Sequence, residues 1–398
     1  MSRRYDTYKR AITKYFKSSP MTGEKVILKR IKDKSLLRDF VTFNISLYKD
    51  NPYHVPSLID EELMTLDWDQ NPAFEFCDAA YFLAYRGDQI VGRIAGIINN
   101  RANETWNQNH ARFGFLDFID DDEVVDMLFE AVEDWARRRG CDFIHGPMGF
   151  TDLDREGLLI EGFDQLATIT TNYNYPYYSD QLERRGYHKD QDWKEYKIYA
   201  PDEIPEKHRR IANLVREKYG LATKKFTKRK EVYPYAHRIF ETLNASYAPL
   251  YGFATLTPAQ IDYYVKMYIP MVRLDLVTLI VRESDDEVVG FGITIPNLSH
   301  AMKKAKGKLW PFGFLHILRA LYSKPKVVDL LLIGIIPEYQ NKGVNALIFE
   351  DLIPIIKNYG VEYVESNPEL ETNLSVQLQW SYFEKVHHKT RRAYIKEL

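Results

Sequence analysis

Residues 81–97 and 279–295 spell the same small structure twice. Tyr81-Phe-Leu-Ala-Tyr-Arg-Gly-Asp-Gln-Ile-Val-Gly-Arg-Ile-Ala-Gly-Ile and Leu279-Ile-Val-Arg-Glu-Ser-Asp-Asp-Glu-Val-Val-Gly-Phe-Gly-Ile-Thr-Ile each read as strand, polar turn, strand, with Val-Gly at the same point, Val91-Gly92 and Val289-Gly290. Behind each hairpin come a strand (113–119; 329–336), a helix (123–139; 344–359) and a further strand (142–145; 361–365). A polar, Pro-bounded stretch, Ala200 to Pro205, and a helical pattern over 207–218 separate the copies. The expected organisation is a basic extension (1–24), a first α/β (α+β) domain (25–200), a linker helix (201–222) and a second such domain (223–398).

Between strand and helix, the second copy reads Ile333-Gly-Ile-Ile-Pro-Glu-Tyr-Gln-Asn-Lys-Gly-Val-Asn345. The amides of a helix's first turn have no internal partners and the helix dipole adds positive charge, so a short glycine-bearing loop there can cradle a pyrophosphate. Gly343 lets the backbone approach closely and Lys342 adds charge. Neither Gly-x-x-x-x-Gly-Lys-Ser/Thr nor Gly-x-Gly-x-x-Gly occupies the position. In the first copy the same position reads Ile119-Asp-Asp-Asp-Glu-Val, four consecutive acids that suit a helix start and would repel a phosphate.

Gln340-x-x-Gly343-x-Asn345 resembles the acyl-CoA pyrophosphate loop of the GNAT acyltransferases, Gln/Arg-x-x-Gly-x-Gly/Ala, with Asn345 departing from the usual small residue. The hairpin, strand, helix, strand order is also that of the GNAT fold, in two tandem copies from about Lys25 to the C-terminus. That resemblance implies mixed, mostly antiparallel, twisted sheets flanked by helices, with the first copy degenerate and the second holding acyl-CoA through Ile335, Ile336, Gln340, Asn341, Lys342, Gly343, Val344, Asn345 and Asn373. Gly157-Leu-Leu-Ile-Glu-Gly-Phe-Asp, Asn174-Tyr-Pro-Tyr-Tyr and Arg392-Ala-Tyr-Ile-Lys extend the likeness to a bacterial acyltransferase group that includes ceramide synthases.

Acyl transfer to an amine needs a base, an oxyanion donor and often an acid. The resemblance implies a splayed strand whose amide at Ile335 holds the thioester carbonyl. Glu365, at the end of the next strand, and Glu338 are candidates for the base. Where the family carries an acid Tyr before Glu-Lys, this chain has Phe383, with Tyr382 one residue earlier and turned by about 100° on a helix. On the substrate side, Tyr247, Tyr251 and Phe253 come from a loop between two helices. His145 opens a long, glycine-punctuated loop that would close over the site between domains.

Residues 300–326 carry Lys303, Lys304, Lys306, Lys308, Arg319, Lys324 and Lys326 and no acid, around the apolar run Leu309 to Tyr322. Such a stretch suits an anionic membrane surface, packing on the protein with its lysines solvated, or CoA's own phosphates, and the three readings stay open; Tyr5, Tyr8, Ile12, Tyr15 and Phe16 repeat the theme among basic residues. A net charge of -2 argues against nucleic acid, and two cysteines without ligand spacing suggest a reducing compartment and no metal. The chain shows no secretory leader and no run of roughly 20 apolar residues, so a cytoplasmic protein is expected, peripheral on the inner membrane face. The expectation is a CoA-dependent N-acyltransferase, using acetyl or long-chain acyl-CoA, on an amine that the likeness makes a sphingoid or other lipid. A small soluble amine as acceptor, an inactive acyl-CoA-binding protein, and the oligomeric state stay open.

Overall fold

The computed structural model describes residues 24–201 and 203–398. The expected basic extension, with Tyr5 to Phe16, therefore lies outside the described residues apart from Glu24.

The first half supplies β1 (Val26–Arg30), β2 (Cys77–Arg86), β3 (Gln89–Asn99), β4 (His110–Phe118), β5 (Phe143–Gly146), β6 (Leu158–Glu161) and β7 (His188–Tyr199). The second supplies β8 (Leu221–Lys224), β9 (Val277–Arg282), β10 (Glu287–Pro296), β11 (Val327–Ile335), β12 (Tyr363–Ser366), β13 (Glu369–Leu370) and β14 (Glu384–Glu397). Both hairpins form where the repeat placed them. All these strands join one mixed sheet, twelve of them in the order β1-β2-β3-β4-β5-β14-β7-β12-β11-β10-β9-β8 with β6 added on β14 and β13 on β7, mostly antiparallel, with β4/β5 and β11/β12 the parallel pairs. The last strand does not stay with its own half. β14 runs between β5 and β7, pairing Tyr394 with Gly146 on one edge and eleven of its residues with β7 on the other.

The helices are α1 (Leu37–Leu47), α2 (Ile59–Leu66), α3 (Asn100–Trp106), α4 (Asp122–Arg137), α5 (Tyr177–Arg184), α6 (Glu206–Tyr219), α7 (Tyr233–Tyr247), α8 (Pro258–Tyr268), α9 (Ser299–Ala305), α10 (Gly313–Tyr322), α11 (Asn345–Tyr359) and α12 (Leu374–Gln379). In α4, Val124, Leu128, Val132, Trp135 and Ala136 recur at helical spacing and are buried on β2 and β3. Its counterpart α11 buries Leu347, Ile348, Leu352 and Ile356 on the second half of the sheet, backed by Val215 of α6. The opposite face of the second half is covered by α7 and α8, through Ile239, Leu243, Ile261 and Tyr264. A shared core between the halves sets Phe43, Leu47 and Tyr48 of the α1 region against Ile295, Met302, Ile317 and Leu321.

Where β12, β7 and β14 meet, charges are buried inside the sheet. The Lys389 ammonium donates to Glu195 at 2.9 Å and to Glu365 at 2.5 Å, and Arg391 donates to Glu195 at 2.5 Å, with all four side chains nearly inaccessible. Burial opposes ionisation of Glu195, but Arg391 and Lys389 more than offset it and hold its carboxyl down at about 2. Glu195, Glu365 and His388 also lie close enough for metal ligation, yet Lys389 already supplies the cation between the two carboxylates.

Candidate active site

The site is built by β11 and β12 parting company. They pair in parallel only from Val327/Tyr363 to Leu330/Ser366, after which β11 continues against β10 alone. The N–H and C=O of one strand residue point to the same side and the next residue's to the other. The Ile336 amide donates to Val289 on the β10 side at 3.0 Å, so Ile333 and Ile335 face the gap. Their carbonyls are satisfied there. The Tyr247 hydroxyl donates to that of Ile333 at 3.2 Å, and the Gln340 side-chain amide to that of Ile335 at 2.9 Å. Nothing among the described residues takes up the Ile333 and Ile335 N–H groups on this open edge, leaving two parallel donors aimed into a cleft.

Below the cleft, the loop turns through Asn341 at φ 58° and Gly343 at φ 80° into α11. A Cβ on Gly343 would come within 2.7 Å of Ile211 on α6, so both the backbone angle and the space require glycine. The amides of Lys342 to Asn345 have no backbone acceptor, and the first turn of α11 carries neither an acid nor a side-chain cap. That is the donor set a pyrophosphate needs. The first half is closed at the matching place. Asp121 caps α4 by accepting from the Val124 amide at 3.2 Å, and Arg86 neutralises Asp121 and Glu123 at 2.7 and 2.9 Å. The gap beside β4 is filled by the chain itself, because Met148 donates to the Phe113 carbonyl and a Cβ on Gly114 would lie 2.2 Å from the Met148 oxygen.

Solved structures with this architecture exist. A tandem GNAT protein from the clavulanic acid biosynthesis pathway superposes with a TM-score of 0.53 at 11% identity, over 94% of this chain and 98% of that one. This is a tandem GNAT fold. No established family model matches the chain. Among characterised proteins, the bacterial ceramide synthase of Caulobacter vibrioides is 28% identical over 377 residues, spanning 92% of this chain and 96% of the relative. The Escherichia coli protein YghO is 26% identical over 381 residues, spanning 94% and 95%.

Within the tandem GNAT frame the structure sorts the expected site residues into two sets. Tyr247, Ile335, Gln340, Asn341, Gly343, Val344, Asn345 and Asn373 line one cleft of about 320 Å³, together with Trp193, Asn367, Gln379 and Trp380. Asn373 also caps α12, its side-chain oxygen accepting from the Val376 amide at 3.4 Å and from the Ser375 hydroxyl at 2.8 Å. The others lie elsewhere. Ile336 turns its amide to β10, and Lys342 is exposed, its ammonium over the Tyr219 and Tyr339 rings at 5.5 and 5.7 Å. Phe253 is core packing against Tyr247, its carbonyl accepting from Trp106 at 2.9 Å. Tyr251 donates to Asp190 and meets His145 Nδ1 at 3.0 Å, away from the cleft lining; burial pushes the His145 imidazole down to about 4.

Neither expected catalytic carboxylate reaches the cleft. Glu365 is locked to Lys389 within the sheet, and Glu338 is exposed on the loop's outer side. Tyr382 sits on a single 3-10 turn, half exposed, accepting from Lys207 at 2.7 Å and packing edge-on against His208. Its side chain is not part of the cleft lining. Tyr382→Phe should therefore leave kcat within ~2-fold of wild type in a thiol-release assay, and a loss of tenfold or more would return the hydroxyl to the mechanism.

The group that sequence reasoning missed is Asp152. It stands on the loop leading from β5 in the first half, and it is the one carboxylate lining both the cleft and an adjoining apolar cavity of about 270 Å³. No described residue donates a hydrogen bond or forms an ion pair to it. Burial pushes its carboxyl up to about 6, with Arg112 opposing and Asp154 reinforcing the shift. The loop itself was legible from its glycines; the burial that raises the Asp152 carboxyl and lowers the His145 imidazole was not.

Proposed function

We propose that this chain, a CoA-dependent GNAT-type N-acyltransferase, moves a long acyl group to a lipid-like amine, working from the cytoplasm at the inner membrane face. The carrying observation is the apolar cavity that continues from the cleft. It shares Trp193, Tyr247, Leu331 and Asn367 with the cleft, then runs between the sheet and α7 and α8 past Ile239, Phe240, Leu243, Val265 and Ile293. A short acetyl group or a small soluble amine leaves such a wall uncovered. The likeness to the Caulobacter ceramide synthase supports an acceptor of the sphingoid type. Two unpaired, buried cysteines suit a reducing compartment, and no described helix is long and apolar enough to cross a membrane.

Acyl-CoA fits the donor set as co-substrate, supplying an activated thioester. The free amides of Lys342 to Asn345 take the pyrophosphate oxygens, and Gln340 fixes the loop against β11. The Ile333 and Ile335 amides face the place where negative charge develops on the carbonyl oxygen, and need no reorganisation to stabilise it. Asp152, reaching over from the other half, accepts the ammonium proton so that the amine can attack; near neutral pH it is largely ionised yet basic enough for the task. The C–N bond forms as the thioester C–S bond breaks, and the CoA thiolate leaves into the open cleft, where water supplies its proton. The degenerate half thus contributes the base and the CoA-binding half the donors.

Calorimetric titration tests the reading. Palmitoyl-CoA should bind far more tightly than acetyl-CoA, by roughly 0.8 kcal/mol for each methylene buried. Gly343→Val should weaken both by ~100-fold or more, since the residue can neither hold the positive φ nor fit beside Ile211. Equal affinities for the two acyl-CoAs would defeat the long-chain reading, and a Gly343→Val protein that binds normally would defeat the site.

A further inference from the structure

Residues 299–326 fold into α9, a short connection and α10, and they have two faces. The inner face packs into the protein through Met302, Ile317 and Leu321. The outer face is apolar too. Trp310 is 72% and Phe312 69% exposed, and Leu315, Leu318 and Tyr322 continue the stripe along α10 at 50, 43 and 61%. Leu315, Leu318 and Tyr322 fall at i, i+3 and i+7, opposite Gly313, Ile317 and Leu321, so the helix has two apolar faces; on the outer one the Tyr322 hydroxyl accepts from Arg229 at 3.0 Å, while Leu315 and Leu318 stand exposed. A folded chain rarely leaves such a stripe in water without a use.

The surrounding charge says what covers it. Lys304, Lys306, Lys308, Arg319 and Lys324 rim the stripe, all exposed, and none forms an ion pair with a described residue. No acid occurs between Ser299 and Val328. Cations around exposed Trp, Phe and Leu match a surface with anionic headgroups over an acyl interior. The inner face adds a second observation. Met302 and Ile317 wall a chamber of about 180 Å³ that adjoins the apolar cavity, the two sharing Tyr264, Tyr268, Met271 and Leu298.

We propose that α9 and α10 form the surface by which the protein docks on an anionic lipid bilayer, and that their inner face is the doorway through which a bilayer-borne chain passes toward Asp152. This rests on the lipid-substrate reading above but names a separate surface. Trp310 and Phe312 would sit among the headgroups, Leu315 and Leu318 at the acyl boundary, and the lysines against lipid phosphates or carboxylates.

Vesicle sedimentation decides it. Full-length protein should partition onto phosphatidylglycerol/phosphatidylcholine vesicles at least ~10-fold more than onto phosphatidylcholine alone, with the difference collapsing at high salt. Leu315→Glu/Leu318→Glu should reduce that partition by ~10-fold or more, and Lys304→Glu/Lys308→Glu should abolish the preference for anionic vesicles. Equal partition onto both vesicle types, or unchanged partition of the Leu pair variant, would overturn the proposal. So would a wild-type dimer, seen by light scattering, that the Leu variant splits while vesicle binding is absent, because the stripe would then cover a second copy. Acyl transfer to a detergent-dispersed amine separates this surface from the chemistry. The Leu variant should keep that rate while losing transfer to the same amine in vesicles. Protein that binds vesicles but transfers to no amine would leave the surface standing and defeat the function.

Discussion

Asp152→Asn should cost 10²- to 10⁴-fold in kcat, roughly what a positioned general base contributes, with little change in acyl-CoA affinity. The asymmetry follows from place: the carboxylate lines the cleft where the apolar cavity opens from it, and it is no part of the loop proposed to hold phosphate. In wild type, a proton occupies Asp152 below about 6, where burial has set its carboxyl. The rate should therefore climb as pH rises through about 6 and then level off, because the folded-state value lies above that of an ordinary carboxylate. The Asn variant should lack this limb altogether. Glu156, which lines the apolar cavity and not the cleft, is the control: Glu156→Gln should alter kcat much less. An Asp152→Asn enzyme within threefold of wild type, or one with its acid limb intact, would exclude Asp152 as the base.

Lys389→Met should produce the largest stability loss, on the order of 3–5 kcal/mol, since it strands the buried Glu365 carboxylate without its ammonium while Arg391 still holds Glu195. Among the described residues Lys389 is the only ammonium between Glu195 and Glu365, and its side chain is 1% exposed. Methionine fills the space but leaves Glu365 facing Glu195 across a dry gap. Urea denaturation at constant slope would register the loss as a lower midpoint. Adding Glu365→Gln should restore part of it by removing one stranded charge. A single variant that loses less than about 1 kcal/mol would mean water reaches the cluster.

The repeat made both hairpins, the parallel pairs and the helix between them legible, because alternation and helical spacing are local properties of the chain. The loop at Gln340 to Asn345 was legible for the same reason: free amides at a helix start follow from sequence order. Glu365 misled because a strand-end acid looks solvated in sequence, whereas here Lys389 arrives from a strand twenty residues further on and locks it inside the sheet. Tyr382 misled through an assumed helix; the chain instead makes one 3-10 turn and enters β14. Asp152 stayed hidden because its value lies in the distance between halves. Nothing near residue 152 in sequence records that residues 330–345 will face it.

The placement of β14 has a consequence for how the molecule is made. On a ribosome the first half emerges with β5 and β7 synthesised, but the strand that belongs between them is made only after the rest of the second half. Until then the early half exposes two unpaired strand edges, which are ready templates for pairing with another chain. Closing them is a long-range event that waits for β14 to be made. A stop codon just ahead of β14 would thus damage the half of the protein that was translated first.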